Sequence, residues 1–166
     1  MNNRGFTLIE ISVVVALIGL MLSITVPTVR DALLTDGLKK TANYLINSAG
    51  ELRNNALREQ VNYILHIDID RGCFWTSSAD MTPEARAESK DASYCAPPGV
   101  RIADFYRFGQ EKVFEGEVTI GFFKGGYLEP AVLHLSEGNR AFTVVFEPFL
   151  HKVTLYDSYR DIEAKN

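Results

Sequence analysis

The chain has 166 residues, 46% of them hydrophobic and 23% charged, and its 17 Lys and Arg against 21 Asp and Glu give a formal charge of −4. That length excludes a large multidomain enzyme. The acidic balance, with no basic run longer than Lys39-Lys40, disfavours nucleic-acid binding, which needs cationic side chains to neutralise phosphates.

From Ile11 to Val29 the sequence ISVVVALIGLMLSITVPTV runs for nineteen residues without a charge. As a helix it would span about 28 Å, close to the hydrocarbon thickness of a bilayer. A buried soluble helix would show a polar stripe, and a cleaved secretory signal would have a shorter apolar core and an A-x-A site, so a membrane segment is the better reading. Arg4 and the amine precede it, which keeps the N-terminus cytoplasmic and sends the rest of the chain across. Glu10 interrupts the apolar pattern. A carboxylate within the bilayer costs about 2.5 to 3.5 kcal/mol, so Glu10 needs either water at headgroup level or a partner. Ser12, Ala16, Gly19 and Ser23 form a row of small residues that would let helices approach closely.

The run Arg4-Gly5-Phe6-Thr7-Leu8-Ile9-Glu10, followed by the apolar helix, resembles the processing site of type IV pilins and type II secretion pseudopilins. The resemblance implies that prepilin peptidase cuts after Gly5 and that the same enzyme methylates the new amine on Phe6. It also implies assembly into a filament, where Glu10 of one subunit pairs with the Phe6 amine of the next and two groups costly in lipid neutralise each other. Pro27 is a further shared feature. Its missing donor and its clash with the carbonyl of Ser23 predict a kink or local melting of the helix there.

Beyond Pro27, Val29, Leu33, Leu34, Leu38, Ala42, Leu45, Ile46, Ala49, Leu52, Ala56 and Leu57 recur at spacings of three and four. Charged and amide side chains occupy the other faces, so this half is amphipathic and packs on a globular head. Gly37 and Gly50 each cost about 1 kcal/mol relative to Ala in a helix and mark close packing or bends.

From Val61 the period changes to two, which predicts a strand through Ile69. Further strands are expected at Cys73 to Thr76, Val100 to Phe108, Glu117 to Phe123, Ala131 to Leu135, Ala141 to Phe146 and Lys152 to Tyr156, the last three as a meander. Ser77 to Gly99 is polar and Pro-bearing and reads as a long surface loop. Cys73 and Cys95 lack metal-site spacing; outside the cytoplasm a bridge between them would tie the ends of that loop.

No nucleotide-binding, hydrolase or zinc-protease motif occurs, and His66, His134 and His151 are scattered and read as structural. Asp68-Ile69-Asp70-Arg71-Gly72 has its glycine one position early for a calcium loop. Asp104, Glu111, Glu115 and Glu117 read as solvated surface. No metal, cofactor or catalytic activity is expected.

Phe123-Lys124-Gly125-Gly126-Tyr127 and Phe146-Glu147-Pro148 are similar to the C-terminal half of H-type minor pseudopilins, although His151 stands in the turn where that family would carry glycine. The fold class expected is α+β: a long N-terminal transmembrane and amphipathic helix packed on a mostly antiparallel β head, the pilin-like fold. The domains are a leader at 1–5, a transmembrane half at 6–29, an amphipathic half at 30–59 and a periplasmic head at 60–166. The resemblance implies a single-pass inner-membrane protein that joins a periplasmic pseudopilus near its tip. Its partners would be other major and minor pseudopilins, prepilin peptidase and the inner-membrane assembly platform. The rival readings are a minor type IV pilin, serving pilus assembly or DNA uptake, and a membrane-tethered periplasmic binding module that never assembles.

Overall fold

The computed structural model describes residues 8–148 and 153–162, with the side chains of residues 22–36 outside the description. The chain divides into two units, Met1–Asp36 and Gly37–Asn166. One helix, α1 (Leu8–Glu59), belongs to both. It ends where Gln60 turns into the left-handed region at φ 57°, a common way of closing a helix.

The second unit contains β1 (Tyr63–Asp68), β2 (Cys73–Ser78), α2 (Pro83–Asp91), β3 (Tyr94–Cys95), β4 (Arg101–Tyr106), β5 (Glu117–Phe122), β6 (Ala131–Glu137), β7 (Arg140–Phe146) and β8 (Val153–Tyr156). They form two four-stranded sheets, ordered β3-β2-β1-β5 and β4-β6-β7-β8, antiparallel throughout. The expected meander is present as β6-β7-β8, and the observed class is α+β with the helix on antiparallel sheets.

The amphipathic spacing places Leu38, Ala42, Leu45, Ala49, Leu52 and Ala56 on one buried face of α1. That face meets the inward side chains of both sheets: Leu65, Ile67 and Phe74 from one, Leu133, Leu135, Phe142, Val144 and Phe146 from the other. Leu57, expected on the same face, is 39% exposed, because it falls just past the end of the buried stripe.

The segment from Ser77 to Gly99 is not the loop its polarity suggested: it holds the end of β2, then α2 and β3. Thr82 caps α2 by accepting the N–H of Ala85, Pro83 sits in the first turn, and Glu84 and Lys90 suit the two ends of the helix dipole. No residue of α2 is buried, so the helix lacks the apolar stripe on which periodicity relies. It is held by Ser89 Oγ donating to the Thr76 carbonyl and by a disulfide, Cys73 to Cys95, across the β2–β3 pair.

In β6, Ala131, Val132, Leu133, His134 and Leu135 are all buried, so both faces of this strand are covered. α1 covers one face. The other carries a small cluster of Tyr106, Val132 and Val145, packed against Phe108, Tyr156 and Ile162. Ile162 lies in the chain that follows β8, which returns as a strap over the outer face of the second sheet.

Candidate functional site

α1 is described from Leu8 onward, and Gly5 and Phe6, the expected cleavage and methylation residues, lie outside the described residues. Glu10 stands in the first helical turn, exposed, where the helix dipole favours an acid. Among the described residues no cationic group pairs with it. The large apolar side chains from Leu8 to Met21 are between 48% and 88% exposed. Val13, Val14 and Val15 are consecutive and so face different directions, which makes the helix apolar all round. Such a surface belongs in lipid or against other helices. The Ser12 hydroxyl donates to the Leu8 carbonyl within the helix. Among the described residues no helix is long and apolar enough to cross a membrane; the expected span ran on to Val29, and its side chains beyond Met21 lie outside the description. Pro27 stands within the helical span of α1, and its side chain is likewise outside.

The head carries a second constellation, beneath the strap. His134 is fully buried, with Nδ1 2.7 Å from Asp104 Oδ1 and Nε2 2.9 Å from the Arg160 carbonyl. A carboxylate and a carbonyl can only accept, so each ring N–H that His134 carries finds an acceptor. Tyr159 donates to Asp104 Oδ2 at 2.8 Å, stacks on the His134 ring at 3.9 Å, and accepts from Lys112. Lys112 also donates to Asp161, which with Tyr159 raises its pKa. Burial pushes the Asp104 carboxyl up, but the hydrogen bonds of His134 and Tyr159 and the His134 charge outweigh it and hold the group below the usual carboxylate range.

The strap is read along its backbone at alternate residues. Thr143 donates to the Ser158 carbonyl and accepts the Arg160 N–H, while Tyr106 OH bonds both the N–H and the carbonyl of Ile162. Asp104 was expected to be solvated surface and is instead 2% exposed. The sequence reading missed this cluster, although the alternation Val132-Leu133-His134-Leu135, apolar on both faces, signals a strand covered on both sides.

This arrangement fastens chain; it offers no reactive group, since both His134 nitrogens and both Asp104 oxygens are engaged. His66 has a similar role. It lies between Glu117 and Ser77, at 3.0 and 2.9 Å, and stacks on Trp75. Asp68 accepts the backbone N–H of Arg71 and closes a turn, while Asp70 accepts that of Gly116 and ties the turn to the chain before β5. Among the described residues no three acidic, His or Cys side chains gather as a metal site. His151 lies outside the described residues.

Residues 1–26 match the family model for the prokaryotic N-terminal methylation motif. Two solved structures of EpsH, the minor pseudopilin of the Type 2 Secretion System of Vibrio cholerae, share the fold. One superposes with a TM-score of 0.58 at 13% identity, covering 76% of this chain and all of that one. The other gives a TM-score of 0.56 at 14% identity, covering 76% of this chain and 98% of that one. No curated protein sequence matches the chain. At such identity the likeness shows the shared fold alone. The chain thus joins a prepilin-type N-terminal methylation motif to a head with the pilin-like α+β fold of a minor pseudopilin.

Proposed function

We propose that the chain is a minor pseudopilin of a type II secretion system, a structural subunit without catalytic activity. Its leader is cut after Gly5, Phe6 is methylated, and the apolar helix holds it in the inner membrane with the head in the periplasm. It then enters a short pseudopilus near the tip, with Glu10 pairing against the Phe6 amine of a neighbouring subunit. Its partners are the other pseudopilins, prepilin peptidase and the assembly platform.

One conjunction supports this reading above all: the methylation motif over residues 1–26 stands on the same chain as a head with the fold of EpsH. The helix that is apolar on every side supplies the physical counterpart, since neither a monomer in water nor an isolated head has use for it. Deleting the gene in its own host tests the role. The expected result is that proteins normally found in the medium accumulate in the periplasm, while pili remain. Loss of pili with secretion intact would assign the chain to a type IV pilus instead.

A further inference from the structure

Leu65, Ile67 and Phe74 enter the core, so the residues that alternate with them, His66 and Trp75, point to the face of the first sheet turned away from α1. There, beside α2, lies a cleft of about 300 Å³. Its floor is the Trp75 ring, with His66 stacked on it at 5.1 Å between centroids. Arg86 and Lys90 line the helical side and Glu117 the other. The Lys90 ammonium lies 4.6 Å from the centre of the Trp75 ring and donates to Glu117 Oε2 at 3.2 Å, while His66 Nδ1 bonds Oε1 at 3.0 Å. Burial pushes the Glu117 carboxyl up, but these two bonds outweigh it and hold the group below the usual carboxylate range. Its negative charge is present and already matched.

Arg86 has no such match. An acid reaches it along the helix only from three or four positions away, and those positions hold Thr82, Pro83, Ser89 and Lys90. Glu84, Glu88 and Asp91, spaced by four and three, share a different flank of α2. Among the described residues no group pairs with the Arg86 side chain, which is exposed. Arg86 and Lys90 are like charges one turn apart, which weakens a helix, and α2 has only nine residues and buries none. Arg86 makes no contact in the head that would offset this cost.

We propose that the cleft docks an acidic segment of a second protein, with one carboxylate seated on the Arg86 guanidinium and its methylene stem against Pro83 and Ala87 at the rim. The planar fork of an arginine fits a carboxylate with two parallel hydrogen bonds. With Glu117 matched by Lys90, Arg86 leaves the cleft positive on a chain whose formal charge is −4, so the site selects an acidic partner against a basic one. This docking surface is a property of the head and does not rest on the secretion role.

Trp75 is the single tryptophan of the chain, so its emission reports on the cleft in the full chain held in uncharged detergent micelles. Acetylated tetraglutamate should change that emission saturably at low ionic strength and bind more weakly as salt is added, whereas tetraglutamine should give no saturable change. Arg86→Gln should weaken tetraglutamate binding at least about tenfold, because it removes a charge-assisted contact from an exposed side chain and leaves the packing alone. Arg101→Gln, on the second sheet, should bind as the wild type does. Absence of a saturable change, an equal response to tetraglutamine, or wild-type binding by Arg86→Gln would each overturn the proposal. Inorganic phosphate binding as tightly as tetraglutamate would overturn it too, in favour of a site for a free anion.

Discussion

Glu10→Ala, expressed in the native host, should be cut after Gly5 as efficiently as the wild type yet enter filaments about a hundredfold less. The magnitude follows from leaving an ammonium unpaired in lipid, at about 2.5 to 3.5 kcal/mol, with each 1.4 kcal/mol worth a factor of ten. Glu10 is exposed in the first turn of α1 and has no counter-charge among the described residues; the partner proposed for it is the Phe6 amine of a neighbouring subunit. Glu10→Asp keeps the charge on a shorter arm and should assemble at an intermediate level. Quantifying processed and filament-incorporated protein by immunoblot separates the two steps. Wild-type incorporation of Glu10→Ala would make the residue incidental, as in a tethered module that never assembles.

His134→Ala should destabilise the full chain by about 3 kcal/mol or more, read as a lower urea midpoint in detergent micelles, because it strands the buried Asp104 carboxylate beside a vacated acceptor on Arg160. Tyr159→Phe removes a single hydrogen bond to Asp104 and should cost about 1 kcal/mol. The pair also sets an acid limit. The Asp104 carboxyl is depressed in the folded chain, so its contribution is complete above the ordinary Asp pKa and is lost as pH falls through the lower folded value. Acid below about pH 4 should therefore release the strap first, exposing Tyr106, Val132 and Val145 to an apolar dye. Asp104→Asn should abolish that acid step. A His134→Ala midpoint equal to the wild type would show that the buried pair holds nothing.

Much of the fold was legible because its signals are periodic. The helix stripe through Leu38, Ala42, Leu45 and Ala49, and the alternation that begins at Val61, specify faces before any contact is known. The strands fell within a few residues of their expected ends for the same reason. α2 escaped because its stability comes from the Thr82 cap, Pro83 and the disulfide, and it buries nothing. The strap escaped for a different reason. Its attachment uses backbone groups of Ser158, Arg160 and Ile162, which carry no sequence signature, and the buried acid Asp104 looks in sequence like any surface acid. The candidate site at the N-terminus was the reverse case: Gly5, Phe6 and Glu10 announce themselves by motif, and the family match over residues 1–26 rests on that same stretch.

Intact mass and N-terminal peptide mapping of the protein extracted from its native membrane address the processing of that stretch. The expected chain lacks residues 1–5 and begins at Phe6 with one added methyl group. A chain that begins at Met1 in a host with active prepilin peptidase would contradict assembly as a pseudopilin and leave a membrane-tethered module in its place.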